Sequence, residues 1–192
     1  SAFAYAVNMQ SWFRFIRTCR CRQYRREPST CRVAIVGAGW SGLAIAARLK
    51  ALGVPFVGFE ADDDVGGTWH PARRYPGLSL HAPAYSASFP DFPYPSGSAH
   101  DAAPGDRPSG AAMHTYIRRF AENHGLLPHF SFSTRVTGAS ASSARSSTAT
   151  LEVVRDAPDG QKGDAGVASR EGPFDLVVYA SLTAQPRTPS IP

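Results

Sequence analysis

The sequence has little cysteine and no long apolar run, and each shortage excludes a class of protein. Cys19, Cys21 and Cys31 are the only cysteines in 192 residues. An odd number crowded near the N-terminus does not make a disulfide framework, and no later cysteine or His-x-His spacing completes a metal site. The Cys19-x-Cys21 pair has the spacing to ligate a metal or accept a lipid, but two incidental reduced thiols are the simpler reading. No apolar stretch approaches the roughly 20 residues that a membrane span needs, so the chain reads as soluble and intracellular, without a membrane span. Acid is scarce at one end only: residues 1–32 hold seven arginines against Glu27, a net of +6, whereas the whole chain is +5. The remaining residues therefore sum to −1, and no basic groove or nucleic-acid partner is implied.

The Arg-rich leader, residues 1–31, mixes six of those arginines with Phe3, Tyr5, Trp12, Phe13 and Phe15, the composition of an organellar transit peptide. A fragment, a later start at Met9 and a disordered tail are the competing readings, and the leader is set aside from the fold. Residues 32–192 are expected to form one partial nucleotide-binding domain.

Most of the information lies between Val33 and Glu60. Val33-Ala34-Ile35-Val36 is an unbroken apolar run, as in a strand covered on both faces. It stops at Gly37-Ala38-Gly39-Trp40-Ser41-Gly42, a G-x-G-x-x-G, after which Ala46 and Leu49 fall on the sheet-facing side of a helix that Gly53 ends. A second strand, Val54 to Phe59, closes on Glu60. That acid lies 18 positions after Gly42, near the roughly 20 expected for a carboxylate on an adenosine ribose. In such a unit Gly37 permits the tight turn, Gly39 lets the backbone approach a pyrophosphate, and Gly42 lets the helix pack on the strand. The helix N-terminus offers free amides and partial positive charge to the phosphates. Glu60 accepts ribose hydroxyls and repels a 2′-phosphate, which favours FAD or NAD over NADP.

Further along, Asp62-Asp63-Asp64 reads as a solvated loop and Gly66-Gly67-Thr68-Trp69 as a close-approach turn beside a flat aromatic. Tyr75-Pro76-Gly77-Leu78 reads as a turn, and Phe89 to Pro95 as a stiff extended segment. An exposed loop is expected about 96–109. The apolar stripe Met113, Tyr116, Ile117, Phe120 and Ala121 predicts a helix capped at Gly125, with His114 and His124 off the stripe and solvated. Phe130 to Val136 and Thr148 to Val154 alternate as two strands joined by Gly138 to Ser147. A polar loop about 156–172 follows, with a short strand near Val167. Phe174 to Ala180 then repeats the buried-strand pattern before a Pro-rich tail. The fold class is α/β: a Rossmann-like FAD/NAD(P)-binding domain with a mainly parallel sheet and a small antiparallel β-meander.

In order, GAGWSGL, Glu60, GGTW (Gly66 to Trp69), YPGLSLH (Tyr75 to His81), FPDFPYP (Phe89 to Pro95), the Tyr116 helix and FDLVVYA resemble the N-terminal FAD-binding part of the flavin-containing monooxygenases, Baeyer-Villiger types included. The resemblance covers about residues 33–192. It implies FAD as cofactor, NADPH and O2 as co-reactants, and a small organic substrate that receives one oxygen atom at nitrogen, at sulfur or by Baeyer-Villiger insertion. It also implies that Gly37, Gly39, Trp40, Ser41 and Gly42 lie at the pyrophosphate, Glu60 at the ribose, and Gly67, Thr68, Trp69 and His81 along the flavin. It assigns no catalytic residue and no metal.

Two features depart from the family pattern. Relatives carry a glycine after the last strand where Leu182 stands here, which weakens close approach of backbone to FAD. The family's NADPH-binding glycine motif is expected beyond Pro192, so the chain is incomplete relative to the family and is not expected to turn over alone. The alternative reading is a non-catalytic FAD/NAD-binding remnant or module.

Overall fold

The computed structural model describes residues 31–95, 107–141, 148–156 and 166–181. The leader, the centre of the 96–109 loop, most of the Gly138–Ser147 connection, part of the 156–172 loop and the tail from Leu182 lie outside the described residues.

Among the described residues, seven strands and two α-helices make three layers. A parallel sheet is ordered β3-β2-β1-β7, with β1 Val33–Val36, β2 Phe56–Phe59, β3 Phe130–Ser131 and β7 Leu176–Tyr179. Helices α1 (Trp40–Ala51) and α2 (Gly110–Asn123) pack on one face, and an antiparallel sheet β4-β5-β6 (Thr134–Ala141, Ala149–Arg155, Val167–Phe174) covers the other. The four residues of β1 explain the arrangement. Val33 and Ile35 enter the core beneath the helices, while Ala34 and Val36 enter the core shared with Phe59, Leu151, Val153 and Phe174 of the opposite layer. A strand that must bury both faces has no position for a polar side chain, which accounts for the unbroken apolar run.

The α/β Rossmann-like class and the meander agree with the sequence, and several boundaries differ. The strand expected from Val54 begins at Phe56, after Pro55, whose ring removes a ladder donor. The expected single strand Phe130–Val136 is two elements: β3 joins the parallel sheet, and β4 starts the meander at Thr134. Between them Ser133 takes φ +48°, with its N–H donating to Asp62 O at 2.8 Å and that of Thr134 to Glu60 O at 2.8 Å. Those bonds replace the ladder at the point where the chain changes sheets.

A similar pivot divides the expected Phe174–Ala180 strand. Phe174 ends β6 and pairs with Ala149, whereas Leu176 starts β7 and pairs with Val33. Asp175 makes the step: it donates its N–H to Arg32 O (2.9 Å), and its carboxylate accepts from Arg32 N–H (2.9 Å). β7 is parallel to β1, as expected, but it is half-buried rather than buried, because it forms one edge of the parallel sheet. The polar loop expected about 156–172 contains the first part of β6, an eight-residue strand starting at Val167.

Helix α2 matches its stripe, with Met113, Tyr116, Ile117, Phe120 and Ala121 all buried. Ser109 caps its start by accepting from Ala112 N–H. At its end Lys50 of α1 donates to His124 O (2.8 Å) and Gly125 O (2.7 Å), so a cation meets two terminal carbonyls. The segment expected to be extended from Phe89 is instead a tight turn, with Phe92 N–H donating to Phe89 O at 3.1 Å. Pro90 presets the backbone for that turn, and the flanking rings stack on α2. The Tyr116 hydroxyl sits inside the turn, accepting from Phe89 N–H (2.8 Å) and donating to Phe92 O. Burial pushes the Tyr116 phenol pKa up. Tyr116→Phe leaves a buried donor and acceptor unpaired, so unfolding in urea is expected to show a loss of about 1–3 kcal/mol. An unchanged midpoint would show that the hydroxyl does not hold the turn.

Candidate nucleotide-binding site

Three segments meet where β1 and β2 end. Gly37 follows β1 in the left-handed region at φ +104°, and α1 starts at Trp40 with Gly39 as its N-cap. The first amides of a helix have no intrahelical partner, and Gly39 supplies no side chain to cap them. β2 delivers Glu60, which is 6% exposed. One carboxylate oxygen of Glu60 accepts from Ala38 N–H at 2.5 Å and the other from Asp62 N–H at 3.0 Å. Two oxygens with roughly four acceptor positions retain capacity for further donors. The third segment is the Gly66–Trp69 turn, whose Gly66 N–H donates to Ala38 O at 3.0 Å.

The three glycines of the motif are not equivalent. A Cβ on Gly42 would lie 1.9 Å from Gly37 O, and one on Gly37 would lie 3.1 Å from Ala180 O in a backbone conformation unsuited to side chains. Internal packing therefore accounts for both. Gly39 has φ −80°, and among the described residues a Cβ there meets only the Gly67 backbone, Cα at an ordinary 3.5 Å and N at 3.9 Å. No packing among the described residues requires glycine at that position, so the close approach it permits is open to a group from outside the protein. A phosphate approaching the bare N-terminus of α1 is such a group.

The structure places the remaining sequence-derived positions unevenly. Ser41 and Thr68 are exposed beside the glycine loop, and Gly67 packs its backbone on Gly39. Trp40 turns into the core, stacked on Phe89 with ring centroids 4.2 Å apart, and Trp69 is half-buried against the same core. His81 is exposed in a bend after Leu80, on a separate segment. Ser181 lies beside Gly37, as expected for the strand that passes the loop, while Leu182 is outside the described residues.

Two expectations about charged groups need correction. Asp62 and Asp64 are not solvated. Asp62 pairs with Arg73 and Asp64 with Arg118, while Asp63 bonds His70 Nε2 at 3.0 Å. His114 is likewise drawn in, with Nε2 at 3.1 Å from Val65 O and 3.4 Å from Asp64 Oδ2, and burial lowers its pKa below the ordinary 6.5. His124 packs its ring on Phe120, with centroids 4.4 Å apart. A helical wheel places His114 and Arg118 on the polar side of α2. It carries no information on a loop some fifty residues earlier in the chain that returns to cover that side.

A βαβ unit with a glycine turn, a helix N-terminus and a buried acid at the second strand defines a dinucleotide-binding domain of Rossmann type. Comparison with known proteins agrees: residues 35–100 match the NAD(P)-binding Rossmann-like domain family. The chain is 30% identical to an FAD-dependent monooxygenase of Pyrenophora dematioidea over 83% of its own length and 28% of that protein's. It is 34% identical to a Baeyer-Villiger monooxygenase of Streptomyces coelicolor over 55% of its own length and 19% of the relative's. Its fold is shared with an S-allyl-L-cysteine S-oxygenase from Allium sativum, with a TM-score of 0.61 and 22% identity over 77% of this chain and 35% of that one. The chain is thus similar to the N-terminal part of flavin-dependent monooxygenases, an oxidoreductase family. It spans 28% or less of the length of these two curated relatives. Among the described residues no helix is long and apolar enough to cross a membrane.

Proposed function

We infer that residues 33–181 form the FAD-binding portion of a monooxygenase that uses NADPH and O2 to oxygenate a small organic substrate at nitrogen, at sulfur or by Baeyer-Villiger insertion. The observation that carries this reading is the contact between Gly39 and Gly67, which brings the dinucleotide loop and the Gly66–Trp69 turn together at a position where packing alone does not require glycine. When bound, FAD supplies the redox chemistry and the reaction with oxygen; the protein supplies binding, orientation and exclusion of water. The α1 amides beyond Gly39 hold the pyrophosphate. Glu60, fixed on Ala38 and Asp62, accepts from the ribose hydroxyls with the acceptor capacity its two backbone bonds leave. Gly67, Thr68 and Trp69 border the flavin.

Ligand selectivity tests the role of Glu60. FAD is expected to bind and NADP to be rejected, because a 2′-phosphate meets a buried carboxylate. Glu60→Ala is expected to weaken FAD by about 1.5–3 kcal/mol, the value of a charged hydrogen bond, and to reduce the discrimination against NADP. Equal binding of FAD and NADP by the unmodified chain would remove Glu60 from the ribose.

A further inference from the structure

Helix α2 contributes more than core. His114 and Arg118 are one turn apart on its polar face, and both reach the loop that runs from Glu60 to Trp69. His114 Nε2 donates to Val65 O, and its ring edge packs so close to Gly66 that a Cβ there would lie 2.8 Å from His114 Cδ2. Arg118 pairs with Asp64, the residue before Val65, and is itself braced by Glu122 at 3.0 Å. From the other side Arg73 pairs with Asp62 and donates to Gly67 O at 3.1 Å, while His70 bonds Asp63 and receives Ala72 N–H on Nδ1 at 3.3 Å. Val65 is fully buried between these contacts, and Gly66 N–H is fixed on Ala38 O. The loop's backbone is thus held on three sides, and its inner face is the one that touches Gly39.

We propose that His114 and Arg118 are positioning residues for the nucleotide site: from α2 they set the height of the Val65–Gly67 backbone over the glycine loop, and through it the fit of a bound flavin nucleotide. The proposal rests on the FAD-binding reading above. It follows from geometry: Val65 and Trp69 anchor the two ends of the glycine pair in the core, and the contacts that α2 makes with the backbone between them are polar, so those contacts help to set where the two glycines lie. Arg118 is about half-exposed and alone contributes little, whereas His114 is largely enclosed and bonds a backbone carbonyl directly.

The test combines FAD titration with amide hydrogen exchange on the same chain. His114→Ala is expected to raise the FAD dissociation constant roughly three- to tenfold, the effect of losing about one hydrogen bond. It is also expected to speed exchange at the Gly66 amide, with a much smaller change in core amides such as those of β1. His114→Gln, which keeps an N–H donor at the reach of Nε2, is expected to restore both readouts, and Arg118→Ala to move them in the same direction by less. Arg170→Ala, which removes a comparable surface pair with Glu152 on the meander, is the control and is expected to change neither. If FAD binds the unmodified chain and His114→Ala alters neither affinity nor Gly66 exchange, the proposal is overturned. Failure of His114→Gln to restore them would overturn it too, since the contact would then not be the cause. If FAD does not bind the unmodified chain, the FAD reading fails separately, and Gly66 exchange still decides whether α2 holds the loop.

Discussion

Replacing Gly42 by alanine is expected to destabilise the native fold severely, whereas the same change at Gly39 leaves the fold intact and weakens nucleotide binding. The two glycines are three residues apart in one motif, so the contrast separates packing from ligand recognition. At Gly42 the added methyl meets Gly37 O at 1.9 Å and Gly37 C at 3.0 Å, and both partners are backbone. Gly37 is held in turn by its N–H to Phe59 O at 2.8 Å and by β7 passing at Ala180. Neither side yields without lifting α1 from the sheet, so the cost is about 3 kcal/mol or more, at or above the top of the usual overpacking range. At Gly39 the methyl meets, among the described residues, only the Gly67 backbone, Cα at 3.5 Å and N at 3.9 Å, and the stability change is expected to stay below about 1 kcal/mol. FAD affinity at Gly39→Ala should nonetheless fall about tenfold to a hundredfold, because one or more charged hydrogen bonds from the α1 amides are lost. Urea denaturation and FAD titration of both variants check the pair. A destabilised Gly39→Ala or a well-folded Gly42→Ala would reverse the assignment.

Phe120→Ala is expected to cost about 3–5 kcal/mol, the value for emptying a buried aromatic site. Phe120 is 1% exposed, stacked on Phe89 with centroids 3.6 Å apart, and meets Phe92 edge-on at 5.8 Å. Phe89 in turn stacks on Trp40 at the first position of α1. These rings join α2 to the 89–92 turn and to the start of the nucleotide helix, and the turn itself is pinned by the Tyr116 hydroxyl, so the site cannot collapse onto the space left. The urea midpoint reads the loss. A cost under about 1 kcal/mol would mean that the stack does not bear on the joint between the helices.

Sequence alone carried the βαβ unit because each of its residues obeys a local rule. Val33 to Val36 must be apolar to bury both faces, Gly42 must lack a side chain to clear Gly37, and Gly53 follows α1 at φ +66°. The α2 stripe was legible for the same reason, since 3.6-residue periodicity is a local property. What escaped depends on contacts between distant segments. The alternation in Phe130 to Val136 continues through Ser133, so no period marks the change of sheet; hydrogen bonds to Asp62 and Glu60 impose it. Asp175 looks like one polar residue in a buried run until Arg32 is found opposite its backbone and carboxylate. His114 and Asp64 read as solvent-facing on their own segments and become partners only when the loop after β2 folds over α2. At the site, the glycines and Glu60 were visible, whereas the bond between Glu60 and Ala38 and the clasp around Val65 were not.

The most direct measurement is a titration of FAD into the purified chain, followed by flavin fluorescence and absorbance, with native folding checked by circular dichroism. Saturable quenching at one FAD per chain, retained yellow chromophore after gel filtration, and a marked weakening of both in the folded Gly39→Ala variant are expected. A natively folded chain that neither quenches nor retains FAD would contradict the assignment of Val33–Glu60 and Gly66–Trp69 as a flavin-nucleotide site.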